Sequence, residues 1–195
     1  MMGFAKAVSF LLSPVFTILP IPFILVAKFS HDYSYALKWT MFSYAFVLVV
    51  MLFIFVGVIL GVFTNFDVSK REQRPLLFSF SAFVMFCYLL SLIVLNGPRI
   101  LFFVIFVIAF TLLVFMIVNK WIKASVHMTT LTGTLLLIGT TYKGYFFLLL
   151  FLIPLLAWSR VKTKKHSLAE TIVGSILGIV ITLIVYLVSK QFFLE

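Results

Sequence analysis

The run ILFFVIFVIAFTLLVFMIV, residues 100–118, holds nineteen residues without a charge. About 20 such residues, rising about 1.5 Å each in a helix, cross the ~30 Å hydrocarbon core of a bilayer. The whole chain has this character: 64% of its 195 residues are hydrophobic and 10% are charged, whereas soluble domains carry about 25% charged residues. Lipid admits only helices or closed barrels, and this run is too continuous for a barrel strand. The sequence therefore predicts an all-α, polytopic transmembrane helical bundle.

Further apolar runs lie on both sides of this one. The candidate spans are residues 8–27, 37–63, 76–95, 100–118, 126–140, 144–158 and 168–188. Pro14, Pro20 and Pro22 interrupt the first run, which predicts a kinked or partial span. The fifth is rich in threonine, which suits a helix inside a bundle, where hydroxyl and small side chains pack against neighbours. We expect a single transmembrane domain over residues 1–195, with six to seven spans.

Three short polar stretches separate these runs: residues 65–75, 119–125 and 159–167. Two predicted helices lie between each stretch and the next, and a helix pair returns the chain to the membrane face it left. We therefore expect all three stretches on one membrane face. The net charge of +10 predicts anionic partners, such as lipid headgroups, phosphate esters or the membrane surface. Short basic interruptions between spans argue against nucleic acid.

The first polar stretch is basic. Arg71 and Arg74 are three residues apart, so one helical turn would place both on the same face. Pro75 suits the first turn of the helix that follows. The alternative is a cationic anchor at the interface, in which Asp67 and Arg71 form an i,i+4 ion pair.

The second polar stretch leads into a histidine. Lys123, Ser125 and His127 alternate, so an extended segment would direct all three side chains one way. His127 would then lie at the start of the following helix, where backbone N–H groups favour anions. The alternative is an ordinary interfacial histidine.

The third polar stretch combines arginine, lysine and histidine, and a carboxylate, Glu170, follows it three residues later. His166 and Glu170 are four residues apart, hence predicted on one helical face, where the carboxylate could orient the imidazole. Arg160 precedes His166 by six residues, which a short loop can bridge. Ser167 and Glu170 also have the spacing of a capping box, so Glu170 has a second, structural interpretation. The lysines of this stretch are expected to face solvent or lipid headgroups.

This third stretch resembles a motif of the type 2 phosphatidic acid phosphatase superfamily of membrane lipid phosphatases. The motif is S-R-x5-H-x3-D. Ser159, Arg160 and His166 match it at the same spacing, and Glu170 stands where aspartate is usual. The resemblance covers roughly residues 65–178 and implies a phosphatase-like core over about 65–188.

The family's two other motifs have partial counterparts in the same order. Of P-S-G-H, Ser125 and His127 remain, while alanine and valine replace proline and glycine. Of K-x6-R-P, Arg74-Pro75 remains, while Asp67 occupies the lysine position. The cations that could replace that lysine are Lys70 and Arg71.

The resemblance implies a metal-independent phosphatase without a cofactor. His166 would attack phosphorus and form a phosphohistidine, Glu170 would orient it, and His127 would protonate the leaving lipid oxygen. Clustered cations and helix-end N–H groups suit the charge that phosphoryl transfer spreads over the phosphoryl oxygens. The residues implied to hold those oxygens are Arg71, Arg74, Lys123, Ser125, Ser159 and Arg160.

The implied partner is an amphiphilic phosphorylated lipid in a bacterial or archaeal cell membrane. Candidates are phosphatidic acid, phosphatidylglycerol phosphate and polyprenyl diphosphates. The excess of Lys and Arg on the motif side favours a cytoplasmic site, whereas bacterial relatives often act on the outer face, so the active face stays open, as does the oligomeric state.

Three other functions have some support in the sequence. The same histidine chemistry could pass the phosphoryl group to another acceptor. A non-catalytic or transport-type protein could use a degenerate phosphatase fold to bind anionic headgroups, although the charges here lie at helix ends and not at mid-span. A magnesium-dependent polyprenyl transferase is disfavoured, because it needs paired Asp-rich motifs and the chain has only Asp32 and Asp67.

Overall fold

The computed structural model describes residues 1–142 and 144–193, and over these ranges it is 82% helix with no strand. This confirms the predicted all-α class. The α-helices are α1 (Met2–Leu11), α2 (Pro14–Ile18), α3 (Ile21–Ser30), α4 (Tyr33–Ile59), α5 (Arg74–Val94), α6 (Arg99–Val118), α7 (Val126–Tyr142), α8 (Leu152–Lys162) and α9 (Leu168–Phe193). Short 3₁₀ helices cover Arg71–Gln73 and Gly144–Phe151.

Among the described residues, five helical segments are long and apolar enough to cross a membrane, which identifies an integral membrane protein. They are Met2–Ser30, Tyr33–Ile59, Arg71–Val94, Arg99–Val118 and Leu168–Leu187. The apolar helix Val126–Thr140 is shorter. The count of six to seven spans therefore stays a prediction.

The N-terminal segment Met2–Ser30 is divided into three helices at its prolines. α2 begins at Pro14, and α3 follows Pro20 and includes Pro22 in its first turn. Proline lacks the N–H that a helix interior needs, but it fits the first turn. Each break therefore coincides with a proline that starts a new helix, as the kinked segment expected from the sequence requires.

The apolar run 144–158, a candidate span, is helical but is not an α-helix throughout. Gly144–Phe151 is a 3₁₀ helix, and the α-helix begins only at Leu152. Pro154 is the third residue of α8, where its missing N–H costs no intrahelical hydrogen bond. α8 continues beyond the predicted end to Lys162, and it carries the beginning of the third polar stretch.

The contacts within the chain group it into two compact units. The central unit is Leu19–Trp121 and contains α3 to α6. The split unit joins Met1–Ile18 to the described residues from Ile122 onward, and it contains α1, α2 and α7 to α9. The first polar stretch belongs to the central unit and the third to the split unit, while the second is divided between them.

In the central unit, α4 packs against α3 and α5. Ser43 Oγ in α4 lies 2.6 Å from Tyr88 Oη in α5. The rings of Phe53 and Phe80 stack with their centroids 3.8 Å apart. These contacts join the two helices that flank the first polar stretch.

In the split unit, α7 and α9 run parallel. Thr129 Oγ1 in α7 donates to the Gly174 carbonyl in α9 at 2.6 Å. One turn earlier, the Ser125 N–H donates to the Glu170 carbonyl at 3.1 Å. Because residue numbers increase together along these contacts, both helices point the same way and begin at the same end of the unit.

Two glycines allow this close approach. A Cβ added at Gly174 would lie 2.7 Å from the carbonyl oxygen of Ser125. One added at Gly178 would lie 2.7 Å from the carbonyl oxygen of Thr129. Small residues let helix backbones pack closely where no hydrophobic effect drives association. The glycine pair therefore holds the start of α7 against the start of α9.

Candidate active site

α8 ends in a tight reversal that carries the third polar stretch. The Lys164 N–H donates to the Val161 carbonyl at 3.0 Å. The Lys165 N–H donates to the Arg160 carbonyl at 3.1 Å. Together these bonds form a Schellman motif, which holds Lys164 in the left-handed conformation, with φ of 55°. Only two residues then separate this turn from α9.

Glu170 closes a capping box at the start of α9 and contacts His166 with the same oxygen. Glu170 Oε2 accepts the Ser167 N–H at 3.2 Å, and the Glu170 N–H donates to Ser167 Oγ at 3.2 Å. The same Oε2 lies 2.8 Å from His166 Nδ1. The two interpretations of Glu170 that the sequence left open therefore coexist in one carboxylate.

His166 lies in the loop before α9, not on the helix itself, contrary to the prediction of a shared helical face. α9 begins at Leu168, with Ser167 in the capping position. The ring still reaches Glu170, because a capping box turns the carboxylate back toward the residues that precede the helix. The His166 side chain is 3% exposed and that of Glu170 21%, so little water weakens this contact.

The contact also decides which nitrogen of a neutral His166 ring is basic. An ionised carboxylate accepts hydrogen bonds and donates none. We therefore assign the ring hydrogen to Nδ1, which leaves the lone pair on Nε2. A ring held in this way can act through Nε2 as a nucleophile or a base.

Ser125 lies where α7 meets α9. It is fully buried, its N–H donates to the Glu170 carbonyl, and its Oγ accepts a first-turn N–H of α7 at 3.5 Å. His127 is the second residue of α7 and is buried. Lys123 is half-buried in the non-helical residues 122–125. The start of α7 thus lies against the backbone of the residue that holds His166.

Two hydrogen bonds tie the end of α8 to the N-terminal helix. Ser159 Oγ donates to the Ala5 carbonyl at 2.6 Å. Arg160 Nη1 donates to Ser9 Oγ at 2.6 Å. Both donor side chains are buried. α1 lies outside the predicted phosphatase-like core, so these partners were not predicted. The signal that could have indicated them is Ser9 in an apolar helix, one turn after the small residue Ala5.

Arg74 is buried in the central unit, where it joins the first polar stretch to α6. Its Nε donates to the Val68 carbonyl at 3.4 Å, and its Nη1 donates to Asn119 Oδ1 at 3.1 Å. Arg74 begins α5, and Arg71 is half-buried at the start of the preceding 3₁₀ turn. Asn119 was not predicted as a partner of Arg74. The signal that could have indicated it is an amide side chain at the end of an apolar helix.

In comparisons with known proteins, no family profile, no curated protein and no solved structure matches the chain. The chemistry that points to a function lies in the split unit. That unit offers an imidazole oriented by a carboxylate, a buried serine and histidine at a helix start, and a buried arginine bonded to α1.

Proposed function

We propose that this protein is an integral membrane phosphatase that hydrolyses a lipid phosphate, or a prenyl or other lipid diphosphate, through a phosphohistidine intermediate. The observation that carries the proposal is the 2.8 Å contact between His166 Nδ1 and Glu170 Oε2, because it orients a basic Nε2. The motif resemblance supplies the substrate class. An anionic head on an apolar tail also suits a membrane protein with a net charge of +10.

In the first step, the Nε2 lone pair of His166 attacks phosphorus, and the bond between phosphorus and the lipid oxygen breaks. His127 gives a proton to that leaving oxygen. In the second step, water attacks phosphorus, His127 takes a proton from the water, and the P–N bond breaks to release phosphate. Dividing hydrolysis in this way replaces one difficult step by two easier ones.

Cations and N–H groups would hold the phosphoryl oxygens during both steps. In the split unit, we assign this role to Arg160 and Lys123, with Ser125 at the start of α7. The Ser159 hydroxyl already donates its one hydrogen to the Ala5 carbonyl, so we assign Ser159 to holding the end of α8. Arg71 and Arg74 enter the proposal through the motif resemblance alone.

We further propose six to seven spans in a bacterial or archaeal cell membrane, with the three polar stretches on one face. Single cysteines in a Cys87→Ser background test this arrangement. Ser69→Cys, Lys120→Cys and Lys162→Cys should react with an impermeant thiol reagent from the same side of sealed vesicles. Arg99→Cys should react from the opposite side, and a mixed pattern would contradict the topology.

The function is tested by phosphate release from detergent-purified protein across phosphatidic acid, phosphatidylglycerol phosphate and prenyl diphosphates. We expect release from at least one lipid, unaffected by chelators, and its loss in His166→Ala. Substrate labelled with ³²P should leave an alkali-stable, acid-labile phosphoenzyme in the wild type and none in His166→Ala. His31→Asn is the matched control, because it changes a histidine in the central unit and should leave release unchanged.

Several outcomes would contradict the proposal. Turnover that persists in His166→Ala would exclude the phosphohistidine. A phosphoenzyme that passes its label to a lipid acceptor would indicate a transferase. Binding of lipid phosphates without release from any of them would favour the non-catalytic or transport-type alternative.

A further inference from the structure

The Arg160 guanidinium is held by a side chain from the other end of the chain. Arg160 lies in the last turns of α8, and its Nη1 donates to Ser9 Oγ in α1 at 2.6 Å. Both side chains are buried, with 2% of Arg160 and 9% of Ser9 exposed. An arginine side chain carries about 2 kcal/mol of rotamer entropy, so a fixed acceptor removes freedom that an incoming ligand would otherwise have to remove.

The acceptor is neutral, and this matters for ligand binding. An aspartate or glutamate in place of Ser9 would compensate the guanidinium charge. A hydroxyl orients the guanidinium group through a hydrogen bond but adds no negative charge of its own. α1 contains no acidic residue at all.

A second bond keeps Ser9 in place relative to Arg160. The residue before Arg160 donates to the Ala5 carbonyl at 2.6 Å, one helical turn before Ser9. The rings of Phe4 and Trp158 lie beside this bond, with centroids 6.0 Å apart. Three successive residues of α8 thus contact α1, and these contacts fall on two neighbouring turns of α1.

From this geometry we propose that Ser9 is a positioning residue, which aims the Arg160 guanidinium at the phosphoryl group of the substrate. The identity of that anion rests on the function proposed above. The positioning itself rests only on the contacts between α1 and α8. It makes the N-terminal helix part of the site, although α1 lies outside the motif-bearing region.

The test compares four variants of the full-length protein in detergent: Ser9→Ala, Ser9→Thr, Arg160→Ala and the double variant Ser9→Ala/Arg160→Ala. Ser13→Ala is the matched control, because it removes another hydroxyl from the same N-terminal segment. The readouts are KM and kcat for the best lipid phosphate, and the affinity for orthovanadate, a phosphate mimic that needs no turnover. Thermal unfolding reports folding of each variant.

We expect Ser9→Ala to weaken vanadate binding and raise KM by about tenfold, the order expected for losing a hydrogen bond to a charged group. Ser9→Thr should restore most of the affinity, and Ser13→Ala should match the wild type. In the Arg160→Ala background, Ser9→Ala should have no further effect, because residues that act through one another are not additive.

The outcomes separate the two proposals. Unchanged vanadate affinity and KM in Ser9→Ala would overturn the positioning role and leave the phosphatase standing. Equal, additive losses in both backgrounds would also overturn it, because they indicate a general effect on folding. Weakened vanadate binding in a protein that hydrolyses no lipid would support the positioning role and overturn the phosphatase. A wild type that neither binds vanadate nor hydrolyses any lipid would overturn both.

Discussion

The first and third polar stretches each bury an arginine at a helix end, but the two arginines have different partners. Arg74 donates to a carbonyl of its own stretch and to the Asn119 amide. Arg160 donates to the Ser9 hydroxyl of a distant helix. Only the third stretch adds an imidazole held by a carboxylate, His166 with Glu170.

The first stretch is also folded largely by its own side chains. Gln73 Oε1 accepts the N–H and the hydroxyl of Thr64 at 3.1 and 2.7 Å. Asn65 Oδ1 accepts the N–H and the hydroxyl of Ser69 at 3.2 and 2.9 Å. The comparison teaches that an arginine in a motif-like position can act as a structural clamp, as Arg74 does between Val68 and Asn119. A catalytic site needs, in addition, an oriented basic group such as the His166 imidazole.

The largest effect should follow from Glu170→Gln, in the first turn of α9 after the third stretch. Glutamine also serves at this position of a capping box, so stability should change by less than about 0.5 kcal/mol. Its amide can donate to Nδ1 and permit the wrong tautomer, so kcat should fall at least about 100-fold, by analogy with the loss of an orienting carboxylate in a catalytic triad. Phosphate release and thermal unfolding measure the two effects.

Glu72→Gln in the first stretch is the control, since Glu72 is exposed and the first stretch contains no histidine. It should leave both quantities unchanged. Full activity in Glu170→Gln would show that the carboxylate only caps the helix.

The next effect concerns the contact between α7 and α9, which supports the third stretch. Gly174→Ala would place a methyl group 2.7 Å from the Ser125 carbonyl oxygen, and the backbone cannot move away cheaply. Overpacking of this kind costs about 1–3 kcal/mol, measurable as a lower unfolding midpoint in detergent. Gly3→Ala meets nothing within 4 Å and should be neutral or stabilising. Equal stability of the two variants would contradict the close packing.

An effect of similar size should come from the clamp of the first stretch. Asn119→Leu removes the acceptor of Arg74 Nη1 and should destabilise the protein by about 1–3 kcal/mol, the cost of depriving a buried polar group of its partner. Asn119→Asp keeps an oxygen in the same place and should retain most of the stability. If Asn119→Leu unfolds like the wild type, Arg74 does not depend on this bond.

The smallest effect compares backbone strain in the two stretches. Lys164 has φ of 55° and Val68 has φ of 43°, and left-handed conformations cost non-glycine residues roughly 1–2 kcal/mol. Lys164 is exposed, so Lys164→Gly should stabilise by about 0.5–1 kcal/mol. Val68 is buried, so Val68→Gly also loses apolar packing and should not stabilise. Equal stabilisation by both substitutions, in thermal unfolding, would contradict the assigned burial.

Much of the fold was predictable because its signals are local. Long apolar runs became helices, and the breaks in the N-terminal segment fall at its prolines. The run 144–158 was predicted less well. Hydropathy indicates how apolar a segment is, but it does not show where a 3₁₀ helix gives way to an α-helix, here at Leu152. The number of spans is left open by the same short segments.

The contact between His166 and Glu170 could be anticipated from their spacing, although its geometry differs from the one expected. A spacing of four residues is compatible with a shared helical face and equally with a capping box that reaches backward. The structure combines the second arrangement with the contact to the ring. The spacing of the two residues could not distinguish a shared helical face from a capping box, because these arrangements differ only in the residue at which the helix begins.

By itself, the sequence determined that this is a helical membrane protein with polar groups at helix ends, because hydropathy, prolines and short spacings act within a few residues. Tertiary structure alone decided that Arg74 contacts Asn119, that Arg160 contacts Ser9, and that α1 contacts the third stretch. Ser159 and Ala5 are 154 residues apart in the chain, and Arg160 and Ser9 are 151 apart. Such pairs form only when helices pack, and no local pattern encodes which helix will be the neighbour.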